Sequence, residues 1–177
     1  SGPSDWLEHQ AVRTEGDVVK TRRVMRNVAP SGLARAMGLF TANDRIDRFQ
    51  ESEFYLPSYV LVILGSEAAG QRENMVHPHH IVIDSITPET ETTTHYFWSV
   101  PRRHGLDDPK LSELMFSITR NAFDEDAAMI EAQQRLIDSD PAQGALVNLE
   151  ADAAAAAARR IVAGKLREQA AGTAQAA

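Results

Sequence analysis

Asp126 stands where a helix should present a hydrocarbon side chain, and it is the strongest chemical signal in the 177-residue sequence. At steps of three and four residues, Ile118, Ala122, Asp126, Met129, Ile130 and Gln133 fall on one side of a helix, while Asp124 and Glu125 point elsewhere. An uncompensated carboxylate beside such an apolar stripe costs several kcal/mol or shifts its pKa upward. A basic partner, a ring of hydrogen-bond donors or a metal ion would each compensate it. His77, His79 and His80 surround Pro78. Close-set imidazoles can bind zinc or iron, but Pro78 marks a strand entry or loop and no carboxylate is near, so a surface cluster is expected. His95 lies in Thr94-His95-Tyr96-Phe97-Trp98, which reads as a buried strand. A hydrogen-bonded core histidine is the default there, and pocket lining the functional option. His9 and His104 stand alone. There is no Gly-rich phosphate loop, no Gly-x-Ser-x-Gly elbow and no His-Glu-x-x-His.

The elements that must position these residues follow one another in two regimes. Residues 11 to about 100 are rich in β-branched and aromatic residues, whereas residues 107 to about 170 are rich in Ala, Glu, Gln, Leu and Arg. Glu15-Gly16-Asp17 separates Ala11–Thr14 from Val18–Arg26 as a hairpin. Leu33–Phe40 reads as a short helix or loop after Pro30-Ser31-Gly32. Ile46–Leu56 and Ser58–Ser66 form a second strand pair divided at Pro57, and Glu67–Asn74 a polar loop. His80–Thr87 and Thr92–Val100 form a third pair, giving about six or seven strands in all. Asp107 or Asp108 caps a long helix with Pro109 in its first turn, where the missing N–H costs nothing. Its apolar positions repeat as in a helix packed on a sheet, and Asp138–Pro141 and Gly144 end it. Residues 151–168 form another helix, followed by a frayed tail over 171–177. Strands followed by helices give an α+β domain with an antiparallel sheet, spanning residues 1–170.

Composition narrows the function. With 43% hydrophobic residues, 24% charged residues and a net charge of −7, the chain reads as one folded, soluble, cytoplasmic domain. No apolar run is long enough for a bilayer and no signal peptide is visible. The absent initiator Met suggests that something upstream was removed. The acidic balance argues against nucleic acid, and Arg22, Arg23 and Arg26 read as a solvated strand face. Zero cysteine excludes disulfides, thiolate zinc sites, cysteine nucleophiles and an iron–sulfur cluster held by this chain alone.

A series of motifs occurs in fixed order: Thr87-Pro88-Glu89-Thr90-Glu91, Thr94-His95-Tyr96-Phe97-Trp98-Ser99, Leu106-Asp107-Asp108-Pro109, Ala122-Phe123-Asp124-Glu125-Asp126 and Ile130-Glu131-Ala132-Gln133-Gln134. With the Ala-rich tail from Asn148 to about Leu166, this series resembles the C-terminal catalytic domain of Rieske non-haem iron oxygenases. The nearest group is that of vanillate O-demethylase, phenoxybenzoate dioxygenase and dicamba monooxygenase. The resemblance implies a helix-grip (START-like) fold, a curved antiparallel sheet packed on a long C-terminal helix. It implies that Asp126 is the carboxylate ligand of a mononuclear Fe(II), with open coordination positions beside a substrate cavity. Val82, Asp84, His95, Phe97 and Ser117 are the candidate cavity-lining residues.

The resemblance also implies O2-dependent hydroxylation or O-demethylation of an aromatic substrate, electrons from a reductase component using NAD(P)H through a 2Fe–2S Rieske cluster, and a homotrimer. The family's two iron histidines sit in a His-x4-His motif, and its cluster is held by cysteines and histidines of an N-terminal domain. Neither set is in this sequence. The expectation is therefore the C-terminal part of a longer subunit, unable by itself to hold catalytic iron well or to turn over. The rivals are a non-catalytic hydrophobic-ligand-binding module of the same fold and a structural interaction domain.

Overall fold

A computed structural model describes residues 7–71, 78–139, 149 and 152–175. His77, the end of the expected polar loop and, of the expected break at Asp138–Pro141 and Gly144, all but Asp138 and Ser139 lie outside the described residues, as does the side chain of His9. The chain divides into two compact units. The first contains β1 (Leu7–Glu15), β2 (Val18–Val28), β3 (Ile46–Tyr55), β4 (Tyr59–Ala68), β5 (Pro78–Pro88), β6 (Thr94–Ser99) and α3 (Ala153–Gln175). The second contains α1 (Gly32–Ala36) and α2 (Pro109–Ser139).

The strands form a six-stranded antiparallel meander in the order β1-β2-β3-β4-β5-β6. Local sequence explains its corners. Gly16 takes a positive φ of 60° in the β1–β2 turn, a conformation that only glycine adopts without cost. Leu56-Pro57 is a cis peptide between β3 and β4. The ladder is interrupted between Met25 and Val28, where Asn27 takes a φ of 52°, and again between Leu64 and Gly65 opposite β5. Such bulges bend a strand and increase its twist, which curves the sheet. The core of this unit includes Val19, Ile46 and Phe49, and α3 contributes the buried Ala157 while packing against β2 and β1. Lys165 of α3 pairs with Asp17 of the first turn at 3.1 Å. The helix runs to Gln175, so most of the segment 171–177 is helical.

In the second unit the helix start is as the sequence indicates. Asp108 Oδ1 accepts from the amides of Lys110 at 3.0 Å and Leu111 at 3.3 Å, and Pro109 opens the helix. Gly105 has a φ of 59°, and a Cβ there would lie 2.6 Å from Leu111 Cδ2, so the turn into α2 requires glycine. Leu111 and Met115 are buried, whereas Phe116, Ile118, Met129, Ile130 and Leu136 are exposed. Ser31 caps α1 by accepting from the Ala34 amide at 3.1 Å. Among the described residues, no helix is long and apolar enough to cross a membrane.

Candidate functional site

Four of the expected site residues lie on β5 and β6, and the register divides them between the sheet's two faces. Residues paired across a ladder share a face, and alternate residues along a strand do too. Asp84 pairs with Val60 and Trp98, and Val82 pairs with Val62, so Val82 and Asp84 share a face with Tyr96. His95 and Phe97 pair with Thr87 and Ser85 on the opposite face. These four side chains therefore do not line one wall.

Their burial differs as well. Asp84 is 5% exposed and accepts a hydrogen bond from Tyr96 Oη at 2.9 Å. Burial pushes its carboxyl above the ordinary carboxylate range, against the opposing pull of the Tyr96 hydroxyl. The expectation of a buried His95 is overturned. Its side chain is exposed, with Nε2 3.4 Å from Glu89 Oε1, and its ring lies 5.9 Å from that of the exposed Phe97. The cause is strand order: β6 ends the sheet and has a ladder partner on one side only.

Ser117 and Asp126 lie on α2 in the second unit, and both are exposed. The expected burial of Asp126 is thus corrected. Ile118, Met129 and Ile130, the apolar residues sharing its side of the helix, are themselves exposed, so the carboxylate pays no desolvation cost.

His79 and His80 also depart from expectation, being buried at 7% and 8% exposure rather than on the surface. The bulge opposite Leu64 and Gly65 is responsible. His80 pairs with Leu64 and Pro78 with Gly65, leaving His79 as the extra residue, and two consecutive side chains turn into the protein. His79 Nδ1 lies 2.7 Å from His80 Nδ1, and His79 Nε2 lies 3.2 Å from Ser66 Oγ. Burial, then the neighbouring His79 and Arg48, push His80 down to about 4, so it is neutral at physiological pH.

The basic cluster of β2 is divided and paired. Arg22 bonds Glu51 at 3.4 Å and lies over the Phe49 ring at 4.9 Å, Arg23 bonds Gln50, and Arg26 bonds Asp47 at 3.1 Å. Asp47, which sequence reasoning missed, is buried and also accepts from the amides of Asn27 at 2.9 Å and Gly70 at 3.2 Å. Burial pushes its carboxyl up, but these three donors outweigh it and leave the group below its ordinary range.

These residues do not by themselves fit a mononuclear iron. Among the described residues no three His, Asp or Glu side chains are placed to hold a metal ion together, and Asp126 is a single candidate ligand. A facial triad needs two imidazoles beside the carboxylate.

Comparison with known proteins bears on the same region. The family model described as the vanillate O-demethylase oxygenase C-terminal domain matches residues 2–168. A vanillate O-demethylase oxygenase subunit of a Pseudomonas species is 35% identical over 159 residues, covering 86% of this chain and 45% of that protein. A putative toluene-4-sulfonate monooxygenase system iron–sulfur subunit of Comamonas testosteroni is 33% identical, covering 66% of this chain and 35% of that protein. The crystal structure of dicamba monooxygenase bound to 3,6-dichlorosalicylic acid has a TM-score of 0.84 at 24% identity, covering 94% of this chain and 49% of that one. That likeness shows the fold, which is α+β and helix-grip-like. The chain spans less than half the length of each of these proteins. By its match over residues 2–168, the chain belongs to the family of vanillate O-demethylase oxygenase C-terminal domains, and with them to the Rieske oxygenases.

Proposed function

We propose that this chain is the substrate-holding catalytic domain, over residues 1–170, of an oxygenase component that hydroxylates or O-demethylates an aromatic compound with O2. The observation that carries the reading is the family match over residues 2–168, which takes in both the sheet and the helix bearing Asp126. The relatives' names, vanillate O-demethylase and toluene-4-sulfonate monooxygenase, supply the substrate class.

In this reading Asp126 is the carboxylate ligand of a mononuclear Fe(II), and its exposure on α2 leaves both oxygens open to an incoming ion. Two histidines from outside this chain complete the set, and a Rieske 2Fe–2S cluster, fed by an NAD(P)H-dependent reductase, is held outside it too. What the chain contributes is binding and shape. Val82 and Asp84, with Tyr96 bonded to the latter, form one wall of the substrate cavity, and Ser117 lies on the helix that carries the ligand. The assembly is a cytoplasmic homotrimer, and residues 1–177 alone do not turn over.

The coding DNA upstream of Ser1 tests the reading most directly. A Cys-x-His…Cys-x2-His pair followed by His-x4-His is expected there, and their absence would overturn it. In the oxygenase carrying those segments, Asp126→Ala is expected to lose mononuclear iron and product while keeping the cluster's absorbance. Stoichiometric iron and oxygen consumption in residues 1–177 alone would refute the need for outside ligands.

A further inference from the structure

Asp84 and Asp47 are both buried carboxylates of the sheet, at 5% and 3% exposure, and they are held in opposite ways. Asp47 accepts from the Arg26 guanidinium and from two backbone amides, a set that favours its charge. Asp84 accepts from one neutral hydroxyl, that of Tyr96 at 2.9 Å on Oδ1, and among the described residues nothing bonds Oδ2. No cation relieves it from its own strand or its neighbours, because β4, β5 and β6 contain no lysine or arginine. A carboxylate so held costs the fold stability, so its place in the middle of β5 calls for a reason other than folding.

The ladder supplies the surroundings. Trp98 stands directly across from Asp84 on β6 and Val60 directly across on β4. Residues opposed in this way have Cβ atoms roughly 5 Å apart. Tyr96, two residues along β6 from Trp98 on the same face, brings a second ring to the carboxyl through its hydrogen bond. Val82 and Val62, paired with each other, continue the face. Trp98 and the three valines are half-buried and Tyr96 is exposed. Asp84 therefore lies between two aromatic side chains beside an apolar floor, with one oxygen uncommitted. A further aromatic ring packs well against such neighbours, offset or edge to face. A substituent on that ring that donates a hydrogen bond finds an acceptor in Oδ2. An anionic substituent in the same place meets a like charge in a half-dry setting with no cation to screen it.

We propose that Asp84 is a specificity-determining residue: its Oδ2 takes a neutral hydrogen-bond donor carried on an aromatic ring, the ring lies against Trp98 and Tyr96, and an anionic substituent is turned away from this point. The assignment rests on the reading of this wall as part of the substrate cavity. It adds an orientation to that reading, since the donor fixes which edge of the ring β5 and β6 hold, and any anionic group of the substrate points away from them.

Calorimetric titration of residues 1–177 with phenol, anisole and benzoate tests the site, at a mildly alkaline pH where phenol keeps its proton and benzoate does not. Anisole has the same ring and the same oxygen, with the donated hydrogen replaced by methyl. Phenol is expected to bind at least tenfold more tightly than either. Asp84→Leu is expected to abolish the preference for phenol over anisole. Asp84→Asn keeps an acceptor without the charge, so it is expected to retain that preference and to admit benzoate. Anisole matching phenol, a preference that survives Asp84→Leu, or no saturable binding of phenol would overturn the site. Benzoate affinity unmoved by Asp84→Asn would overturn the exclusion of anions. A readout free of any folding defect is the indole N–H resonance of Trp98 in the unsubstituted chain, which phenol is expected to shift; a resonance unmoved at saturation would refute the arrangement. These titrations and the upstream coding DNA fail separately. Missing iron histidines overturn the oxygenase and leave a measured donor preference in place, whereas a missing preference overturns the role of Asp84 and leaves the oxygenase in place.

Discussion

Across β2 and β3, one face of the sheet sets Lys20 opposite Glu53 and Arg22 opposite Glu51, whereas the other sets Arg23 opposite Gln50 and Arg48 opposite Met25. On the first face each cation has an acid within reach: Lys20 bridges Glu53 at 3.3 Å and Glu15 at 3.2 Å, and Tyr55 donates to Glu53. On the second face Arg23 bonds the neutral Gln50, and among the described residues no carboxylate bonds Arg48. Paired charge of the first kind fixes register, because a slip of one residue would set like charges opposite each other and move every side chain to the other face. Charge of the second kind has no opposite charge set across the β2–β3 ladder from it, so it adds no such constraint on register.

Four substitutions or titrations break or sharpen this contrast. Asp47→Ala, on the paired face, should be the most damaging, because it removes the buried carboxylate that accepts from Arg26 and from two backbone amides. A loss of about 3–5 kcal/mol is expected in urea unfolding, with the denaturant slope unchanged. A loss under about 1 kcal/mol would dissolve the distinction between the faces.

Acid should act next, through His80. Its folded pKa of about 4 lies below the ordinary value of 6.5, so the unfolded chain binds the extra proton between those values. Stability is therefore complete above pH 6.5 and falls as the pH drops toward 4, by on the order of 2–3 kcal/mol. His80→Phe should flatten that window in thermal melts taken across it. Asp47 and Glu53 are lowered too, but for a different reason: burial pushes each up, and the donors around them win and leave both depressed. Their contribution is present above the ordinary carboxylate range and is lost as pH falls through the depressed values, so it comes below the His80 window.

Asp84→Asn should have a smaller effect and the opposite sign. The folded carboxyl is raised by burial, so its ionised form opposes folding at neutral pH. The amide is expected to raise neutral-pH stability by on the order of 1 kcal/mol, a gain that vanishes in acid where the carboxyl is protonated. A melting temperature lowered at pH 7 would show that the charge is compensated by more than Tyr96. Smallest of all, Arg48→Met should leave stability within about 1 kcal/mol of the original or slightly above it, since no ion pair is lost. A loss comparable to that of Asp47→Ala would mean that Arg48 serves the fold after all.

Where structure depends on neighbours in sequence, the sequence is easy to read. Gly16 marks the first hairpin, Asp108-Pro109 the start of α2, and the alternation of Ile46–Tyr55 a strand. Residue types that need a partner from elsewhere are not legible in this way. The burial of His79 and His80 depends on a bulge that no local signal announces. His95 reads as core because its strand is aromatic, yet β6 is a terminal strand and its side chain is exposed. The helical spacing around Asp126 is correct, but spacing fixes a side of the helix and not what covers it, and that side is exposed. The buried role of Asp47 and the unpaired state of Arg48, adjacent in sequence and opposite in face, emerge only once β2, β3 and β4 are aligned.

The meander has a kinetic consequence. Every strand of the sheet pairs with the strand that precedes or follows it in the chain, so each ladder closes a short loop and the sheet can grow by adding one hairpin at a time. Among the described residues of this unit, α3 returning to β1 and β2, with Lys165 meeting Asp17, is a closure that spans nearly the whole chain. That contact carries the largest loop entropy, so α3 docks late, onto a sheet already formed. Interactions of α3 therefore govern how fast the native unit opens far more than how fast it forms.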